Sequence, residues 1–147
     1  MIDSSYNADL GSMTVMLKMF NLLPGSKKWV VLGDMVEQGR VEKEEHQKLA
    51  EILNGCKLDT IILIGPRLNK FTYPKIDKQG VRVESFINPV EGLKFLQDNL
   101  NGGELILFKG ARFLEGIIEH LLKDKSDILK LCRREPVWHE KRKQWGL

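Results

Sequence analysis

Short apolar runs alternate along the chain with segments whose apolar residues recur every three or four positions. Three runs rich in Val, Ile and Leu predict buried β-strands at 28–33, 59–65 and 104–110. Residues 81–86 alternate apolar and polar side chains, which is typical of a strand near a sheet edge. Met1-Ile2 reads as the end of a further apolar segment, so that a strand also precedes the polar stretch that follows it.

The segments between these runs carry helical patterns. Helices are predicted from Ser12, as the N-cap, to about Leu22, and then over about 41–54, 89–100 and 113–123. Asn88-Pro89 is a typical helix start, because Asn caps and Pro fits the first turn. Pro66 opens a short helix or turn, residues 70–80 are polar and broken by Pro74 and Gly80, and Ser126 caps a short helix over 127–132.

Alternation of strands with helices predicts an α/β fold. We expect a three-layer Rossmann-like domain over residues 1–123, with a mainly parallel sheet of about five or six strands and helices on both faces. Residues 124–147 do not continue the alternation and form a basic C-terminal extension that contains Trp138 and Trp145. Two interpretations of this extension remain open: contact with nucleic acid or another anionic surface, or packing on this domain or a neighbouring one.

Composition and charge narrow the classes of function. The net charge of the 147 residues is +3, and residues 133–147 account for all of it, with five basic and two acidic side chains. The remainder is balanced, so nucleic acid is not expected as the main partner. No apolar run approaches the roughly 20 residues that span a bilayer, and no secretion signal is visible. Cys56 and Cys132 lack metal-ligand spacing, and we expect a reduced, cytoplasmic protein without a metal site.

Three polar segments each follow a predicted strand: Asp3–Asn7, Asp34–Gln38 and Lys109–Arg112. Ligands of open parallel sheets bind outside the carboxyl ends of the strands, so these segments should meet at one edge. The candidate residues for binding a substrate or nucleotide are Asp3, Ser5, Tyr6, Asn7, Asp34, Glu37, Lys109 and Arg112. Such a mixture of acids, cations and neutral donors suits a charged substrate with an amine and a carboxylate, or a nucleotide phosphate.

Each candidate also has a purely structural interpretation. Asp3 and Ser12 could be only turn and cap residues, and Asp34 could be only a turn residue. His46 lies among charged residues in the second predicted helix, and a solvated position is expected for it rather than a catalytic one.

The same segments carry a family resemblance. Ile2-Asp3-Ser4-Ser5-Tyr6-Asn7-Ala8 resembles the D-S-Y-N-A-N-P signature that opens the C-terminal domain of Mur ligases. Residues 31–39, with Glu45-His46 downstream, are similar to the family's L-G-D-M-x-E-L-G loop and E-H pair, and Phe108–Arg112 to its K-G-S-R motif. The resemblance covers about residues 1–123 and is greatest to members that add D-alanyl-D-alanine.

The resemblance implies a role within a three-domain ligase. The missing N-terminal domain would hold a UDP-N-acetylmuramoyl peptide, and the missing central domain would hold most of the ATP and Mg²⁺. The C-terminal domain would close over the ATP and present the incoming D-alanyl-D-alanine. By position, Asp3, Tyr6 and Asn7 would meet the nucleotide and the reaction centre, while Lys109 and Arg112 would favour anionic groups.

The chain departs from the family pattern at three positions, Asp9, Leu10 and Ala111, and holds no G-x-x-x-x-G-K-[ST] loop. We therefore expect no ligase activity from these residues alone, and no catalytic residue within them. Two alternatives stay open: a non-catalytic module that binds a nucleotide or anion, and an amide ligase for another amino acid.

Overall fold

Five strands form one sheet in the computed structural model, which describes residues 1–147. The strands are β1 Ile2–Ser4, β2 Lys28–Gly33, β3 Thr60–Ile64, β4 Arg82–Phe86 and β5 Leu105–Lys109. Their order across the sheet is β1-β5-β2-β3-β4, and all four neighbouring pairs are parallel. The predicted α/β class is confirmed, and the alternating segment β4 lies at an edge, as its pattern indicated.

Five α-helices connect or follow the strands. They are α1 Leu10–Leu22, α2 Glu42–Asn54, α3 Pro89–Asn99, α4 Leu114–Leu121 and α5 Pro136–Lys143. Shorter helical turns cover Gly39–Val41, Leu68–Thr72, Tyr73–Lys75 and Lys125–Lys130. None of the helices combines the length and the apolarity that crossing a bilayer requires.

Alternate side chains of each central strand enter two separate cores, one on each face of the sheet. Val30 and Leu32 of β2 pack with residues of α1 and α2, whereas Val31 between them packs with residues of α3 and α4. This follows from the two-residue period of a strand. Leu131 and Leu147 of the C-terminal extension join the second core, so the extension packs on this domain.

The predicted helix starts need two corrections. Asp9, not Ser12, caps α1: the Asp9 carboxylate accepts from Ser12 N at 2.8 Å, and the Ser12 hydroxyl accepts from Asp9 N at 3.2 Å. The Ser12 N–H also lowers the pKa of Asp9. Asp124 caps the turn Lys125–Lys130 in the same way, accepting from Ser126 N at 2.9 Å, so Ser126 is not the cap. In both places two neighbouring capping residues compete, and the aspartate takes the cap position.

The short helix or turn expected from Pro66 is present as a helical segment, but it continues to Lys75, into the stretch 70–80 that was expected to be broken. Pro74 is tolerated because it occupies the first turn of the short helix Tyr73–Lys75, where its missing N–H is not needed. The buried Thr72 hydroxyl donates to the carbonyl of His46 at 2.8 Å and ties this segment to α2.

Candidate functional site at the carboxyl edge of the sheet

The three polar segments emerge side by side at the carboxyl edge of the sheet. Ser4 at the end of β1 is in register with Lys109 of β5, and Lys109 is in register with Leu32 of β2. The loops that follow β1, β5 and β2 therefore begin next to one another, although about a hundred residues separate the first from the last. Parallel topology brings the predicted residues together as the sequence indicated.

Three adjoining cavities of about 340, 330 and 270 Å³ run along this edge and share lining residues. We call them together the rim cleft, which is lined by seven of the eight candidate residues: Asp3, Ser5, Tyr6, Asn7, Glu37, Lys109 and Arg112. Tyr6 and Asn7 line both of the first two cavities, and Glu37 lines both of the last two. The eighth candidate, Asp34, lies beneath the cleft.

The loop after β1 turns back on itself through short hydrogen-bonded turns. Ser5 N donates to the Asp3 carboxylate at 2.9 Å, and Ala8 N donates to the Asn7 side-chain oxygen at 2.8 Å. Ser5 is buried, whereas Tyr6 is left 69% exposed. The Tyr6 ring is therefore available to a ligand in the cleft.

Lys109 supplies a buried cation to the floor of the first cavity. Its ammonium donates to the carbonyl of Asn7, and the residue is only 5% exposed. Burial lowers the pKa of Lys109 below its usual value, while the Asp9 carboxylate opposes that shift. A poorly solvated ammonium attracts an anion more strongly than a solvated one, because less water must be displaced.

Replacing Lys109 by Met should change how stability depends on pH. The folded protein releases the Lys109 proton at a lower pH than the unfolded chain, whose lysine pKa is near 10.5. Between the lowered pKa of Lys109 in the folded protein and its ordinary pKa in the unfolded chain, the unfolded state binds more protons. The free energy of unfolding therefore rises with pH in that interval. Urea unfolding at pH 8 and pH 10 should show this rise in the protein relative to Lys109→Met. An identical pH dependence of the two would contradict a depressed pKa.

Asp34 is completely buried and holds the segments after β2, β3 and β5 together. One carboxylate oxygen accepts from the backbone N–H groups of Arg67 and Leu68 at 3.2 and 3.0 Å. The other accepts from Nε of Arg112 at 3.0 Å and lies 3.0 Å from its Nη2. Asp34 was placed among the binding residues from sequence, but it meets the cleft only through Arg112, whose guanidinium it orients.

Arg112 and Glu37 line the cleft with a left-handed backbone conformation that residues other than glycine rarely adopt. Their φ angles are +73° and +63°, and Phe113 and Arg133, which also line the cleft, have φ of +58° and +55°. These are all the non-glycine residues with positive φ in the chain. Such strain persists only where the surrounding contacts hold it in place.

Three residues of this edge were missed from sequence: Arg67, Glu115 and Arg133. Arg67 lies three residues after the end of β3 and binds Glu42 and Asp34, so the rule that selected the other loops also applies to it. Arg133 and Glu115 pair at 3.2 Å across 18 residues of sequence, and no local pattern indicates that contact.

His46 is not solvated, as was expected, but fully buried. Its Nδ1 lies 2.7 Å from the Glu42 carbonyl oxygen. It shares the inner face of α2 with Leu49, Ala50 and Leu53, a spacing that outweighs its charged neighbours in sequence.

The side chains of the cleft favour binding over covalent chemistry. Burial raises the pKa of the Cys132 thiol, which lines the first cavity, so the thiol is not activated as a nucleophile. No three His, Cys, Asp or Glu side chains group in a way that could hold a metal ion. What the cleft offers is an exposed aromatic ring, four basic side chains and several backbone and carboxylate acceptors.

A parallel sheet with helices on both faces defines an α/β domain of the Rossmann-like class, and its polar cleft lies at the carboxyl edge, where such sheets bind their ligands. Residues 1–112 match the glutamate ligase domain of Mur ligases. The chain belongs to the Mur ligase family.

Similar proteins are ligases of peptidoglycan precursor synthesis. The UDP-N-acetylmuramoyl-tripeptide–D-alanyl-D-alanine ligase of Bacillus subtilis is 31% identical over 126 residues, which cover 84% of this chain and 27% of that protein. The corresponding Escherichia coli ligase is 34% identical over 65 residues, 44% of this chain and 14% of that protein. This chain therefore spans about a quarter or less of the length of these relatives.

Solved structures of the same ligase, MurF, share the fold. MurF of Acinetobacter baumannii superposes with a TM-score of 0.69 at 27% identity, covering 82% of this chain and 27% of that one. MurF of Thermotoga maritima, in complex with ADP, gives 0.59 at 28% identity and covers 86% and 27%.

Proposed function

We propose that this chain is the C-terminal domain of an ATP-dependent amide ligase of peptidoglycan precursor synthesis. In this role it closes over ATP and presents the incoming D-alanyl-D-alanine to a UDP-N-acetylmuramoyl peptide. The observation that carries the proposal is the rim cleft, where seven residues chosen from sequence line three adjoining cavities that share lining residues. The relatives' names and the ADP in one related structure support it.

Within the proposal the residues have separate tasks. The exposed Tyr6 ring offers a flat apolar surface to a nucleotide base, and Asn7 lies beside it. Lys109 and Arg112 attract a phosphate group or the carboxylate of the incoming dipeptide, and Glu37 attracts its ammonium group. ATP supplies the phosphoryl group that activates the substrate carboxylate.

The cleft suits the nucleotide and the dipeptide but not a metal ion. The Asp34 carboxylate is already occupied by Arg112 and two backbone N–H groups, and the remaining carboxylates are not grouped for coordination. We therefore assign Mg²⁺, and most of the binding of ATP, to the central domain of the ligase. Closure of this domain would then bring Lys109 and Arg112 to the reacting groups while excluding water.

A chimeric ligase tests the proposal. The matching segment of the Bacillus subtilis relative is replaced by residues 1–147, and phosphate release is measured with ATP, the UDP-N-acetylmuramoyl tripeptide and D-alanyl-D-alanine. We expect release that depends on the dipeptide, and a loss of about 100-fold on Lys109→Met, because a fixed cation stabilises charge that builds in the reaction. The 147 residues alone should release no phosphate.

Lys94→Met is the matched control, since Lys94 lies on α3 with its side chain 77% exposed. A folded chimera that is inactive with the dipeptide, or one that tolerates Lys109→Met as well as Lys94→Met, would overturn the proposal.

A second candidate, a binding module without catalysis, is favoured by one residue. Ala111 stands where the family motif has Ser, so the serine hydroxyl is absent from this chain. The Ala111 N–H donates to the Asp34 carbonyl at 3.2 Å. An inactive chimera whose isolated domain still binds ADP would support this candidate.

A further inference from the structure

The C-terminal extension returns to the rim cleft and adds residues that lie outside the family match. The match ends at residue 112, while Arg133, Glu135 and Trp138 line the second cavity of the cleft. Arg133 and Trp138 line the third cavity as well. The extension is therefore part of the wall of the candidate site and not only a terminal arm.

Arg133 makes the central contact between the extension and the loop after β1. Its Nη1 donates to the Ser5 carbonyl at 3.3 Å, and its Nη2 donates to the Tyr6 carbonyl at 2.6 Å. The guanidinium also lies 5.5 Å from the centre of the Tyr6 ring. A planar guanidinium can serve two successive carbonyls and a carboxylate at once, which an ammonium group cannot do with the same geometry.

Buried partners hold Arg133 itself in place. The Glu115 carboxylate, completely buried on α4, accepts from Arg133 at 3.2 Å and lies 3.7 Å from Arg142. Arg142 is 4% exposed and donates to the Arg133 carbonyl at 2.8 Å. Gly116 leaves room for this arrangement, because a Cβ there would lie 2.8 Å from Cδ of Arg142. Two arginines thus share one buried carboxylate, and only Arg133 reaches the loop.

We propose that Arg133 is a positioning residue that fixes the Ser5–Asn7 loop in its ligand-binding conformation. The two carbonyls that Arg133 holds flank the Tyr6 side chain, and Tyr6 is mostly exposed. We call the hydrogen bonds from Arg133 to the Ser5 and Tyr6 carbonyls the clamp. Without the clamp the loop samples other conformations, and the apparent affinity of any ligand that contacts Tyr6 falls in proportion to the fraction of time that the loop spends in its binding conformation. That this ligand is a nucleotide rests on the function proposed above, whereas the positioning role of Arg133 does not depend on that function.

Fluorine NMR tests the clamp on the whole chain. The chain has two tyrosines, Tyr6 and Tyr73, so fluorotyrosine labelling gives one resonance in the loop and one internal reference. Arg133→Lys keeps the charge opposite Glu115 but loses the planar contacts, and Arg133→Gln combined with Glu115→Gln removes both charges together. We expect the Tyr6 resonance to move towards that of free fluorotyrosine in both variants, while Tyr73 does not move.

Arg134→Gln is the matched control. Arg134 pairs with Glu119 of α4 at 2.6 Å, just as Arg133 pairs with Glu115 of the same helix, but Arg134 makes no hydrogen bond or ion pair to residues 5–7. Both resonances should stay in place in this variant. An unmoved Tyr6 in the two Arg133 variants, or equal movement of both tyrosines, would overturn the proposal.

Titration with ADP separates this inference from the proposed function. We expect ADP to move the Tyr6 resonance of the unaltered protein, and the apparent Kd to be about tenfold weaker in Arg133→Lys if the loop is ordered about a tenth of the time. Equal ADP affinity in the two proteins would count against Arg133 as a positioning residue. If ADP does not move the Tyr6 resonance of the unaltered protein, the proposed contact between Tyr6 and a nucleotide is wrong. The role of Arg133 is then tested only by the shift of the Tyr6 resonance in the Arg133 variants.

Discussion

Asp34→Asn is expected to lower the free energy of unfolding by about 3 to 5 kcal/mol, the range for breaking a buried ion pair. The amide retains an acceptor for the N–H groups of Arg67 and Leu68, but it turns an NH₂ group or a weaker acceptor towards Arg112. The Arg112 guanidinium, whose side chain is 24% exposed, then loses the completely buried carboxylate that balances its charge. Since domains of this size are stable by about 5 to 15 kcal/mol, urea unfolding should show a large decrease in the midpoint.

Asp98→Asn provides the control for removing a negative charge. Asp98 pairs with Lys94 at 3.5 Å on the surface of α3, with its side chain 60% exposed, and its loss should change stability by no more than about 0.5 kcal/mol. A similar small effect for Asp34→Asn would show that Asp34 does not hold the three rim segments together.

Gly33→Ala is expected to cost about 3 kcal/mol or more and to disrupt the rim cleft. A Cβ at Gly33 would overlap the carbonyl oxygen of Ala111 and lie 2.8 Å from its carbonyl carbon. Backbone atoms cannot yield as a flexible side chain does, so β2 and the segment after β5 must separate. That separation would lengthen the hydrogen bond from Ala111 N to the Asp34 carbonyl and draw Arg112 away from the Asp34 carboxylate.

Urea unfolding measures the loss, and Gly55→Ala is the control. Gly55 has φ of −85°, and a Cβ there would have its nearest neighbour at 3.5 Å, so its replacement should be tolerated within about 0.5 kcal/mol. If Gly33→Ala were equally harmless, the close approach of the two strand ends would not be required for the fold.

The layers of the fold could be predicted because the strands are short and buried on both faces. Val30, Val31 and Leu32 lie in a short, β-branched apolar run that favours an interior strand, and its glycine end marks the carboxyl edge. The helix starts were predicted less well, since Asp9 and Ser12 are both good caps and the sequence does not say which one enters the cap position.

The candidate site was predictable where it depends on topology, and not where it depends on burial or on long-range pairing. Tyr6, Glu37 and Lys109 reach one cleft because parallel strands end at the same edge. That Asp34 lies beneath the cleft could not be seen, because a turn aspartate looks the same in sequence whether it faces solvent or arginines. The contacts of Arg133 connect positions about 128 residues apart and leave no local signature.

The position of β1 in the sheet also sets an order of assembly during synthesis. β1 pairs only with β5, whose residues leave the ribosome about a hundred positions later, whereas β2 can pair with β3 much earlier. Arg133, which grips the loop after β1, emerges later still. At a translation rate of about 5 to 20 residues per second, β1 must wait roughly 5 to 20 seconds before β5 is available to pair with it. The rim cleft is thus the last part of the nascent domain to mature, and a product that stops before β5 would carry a partly formed sheet without it.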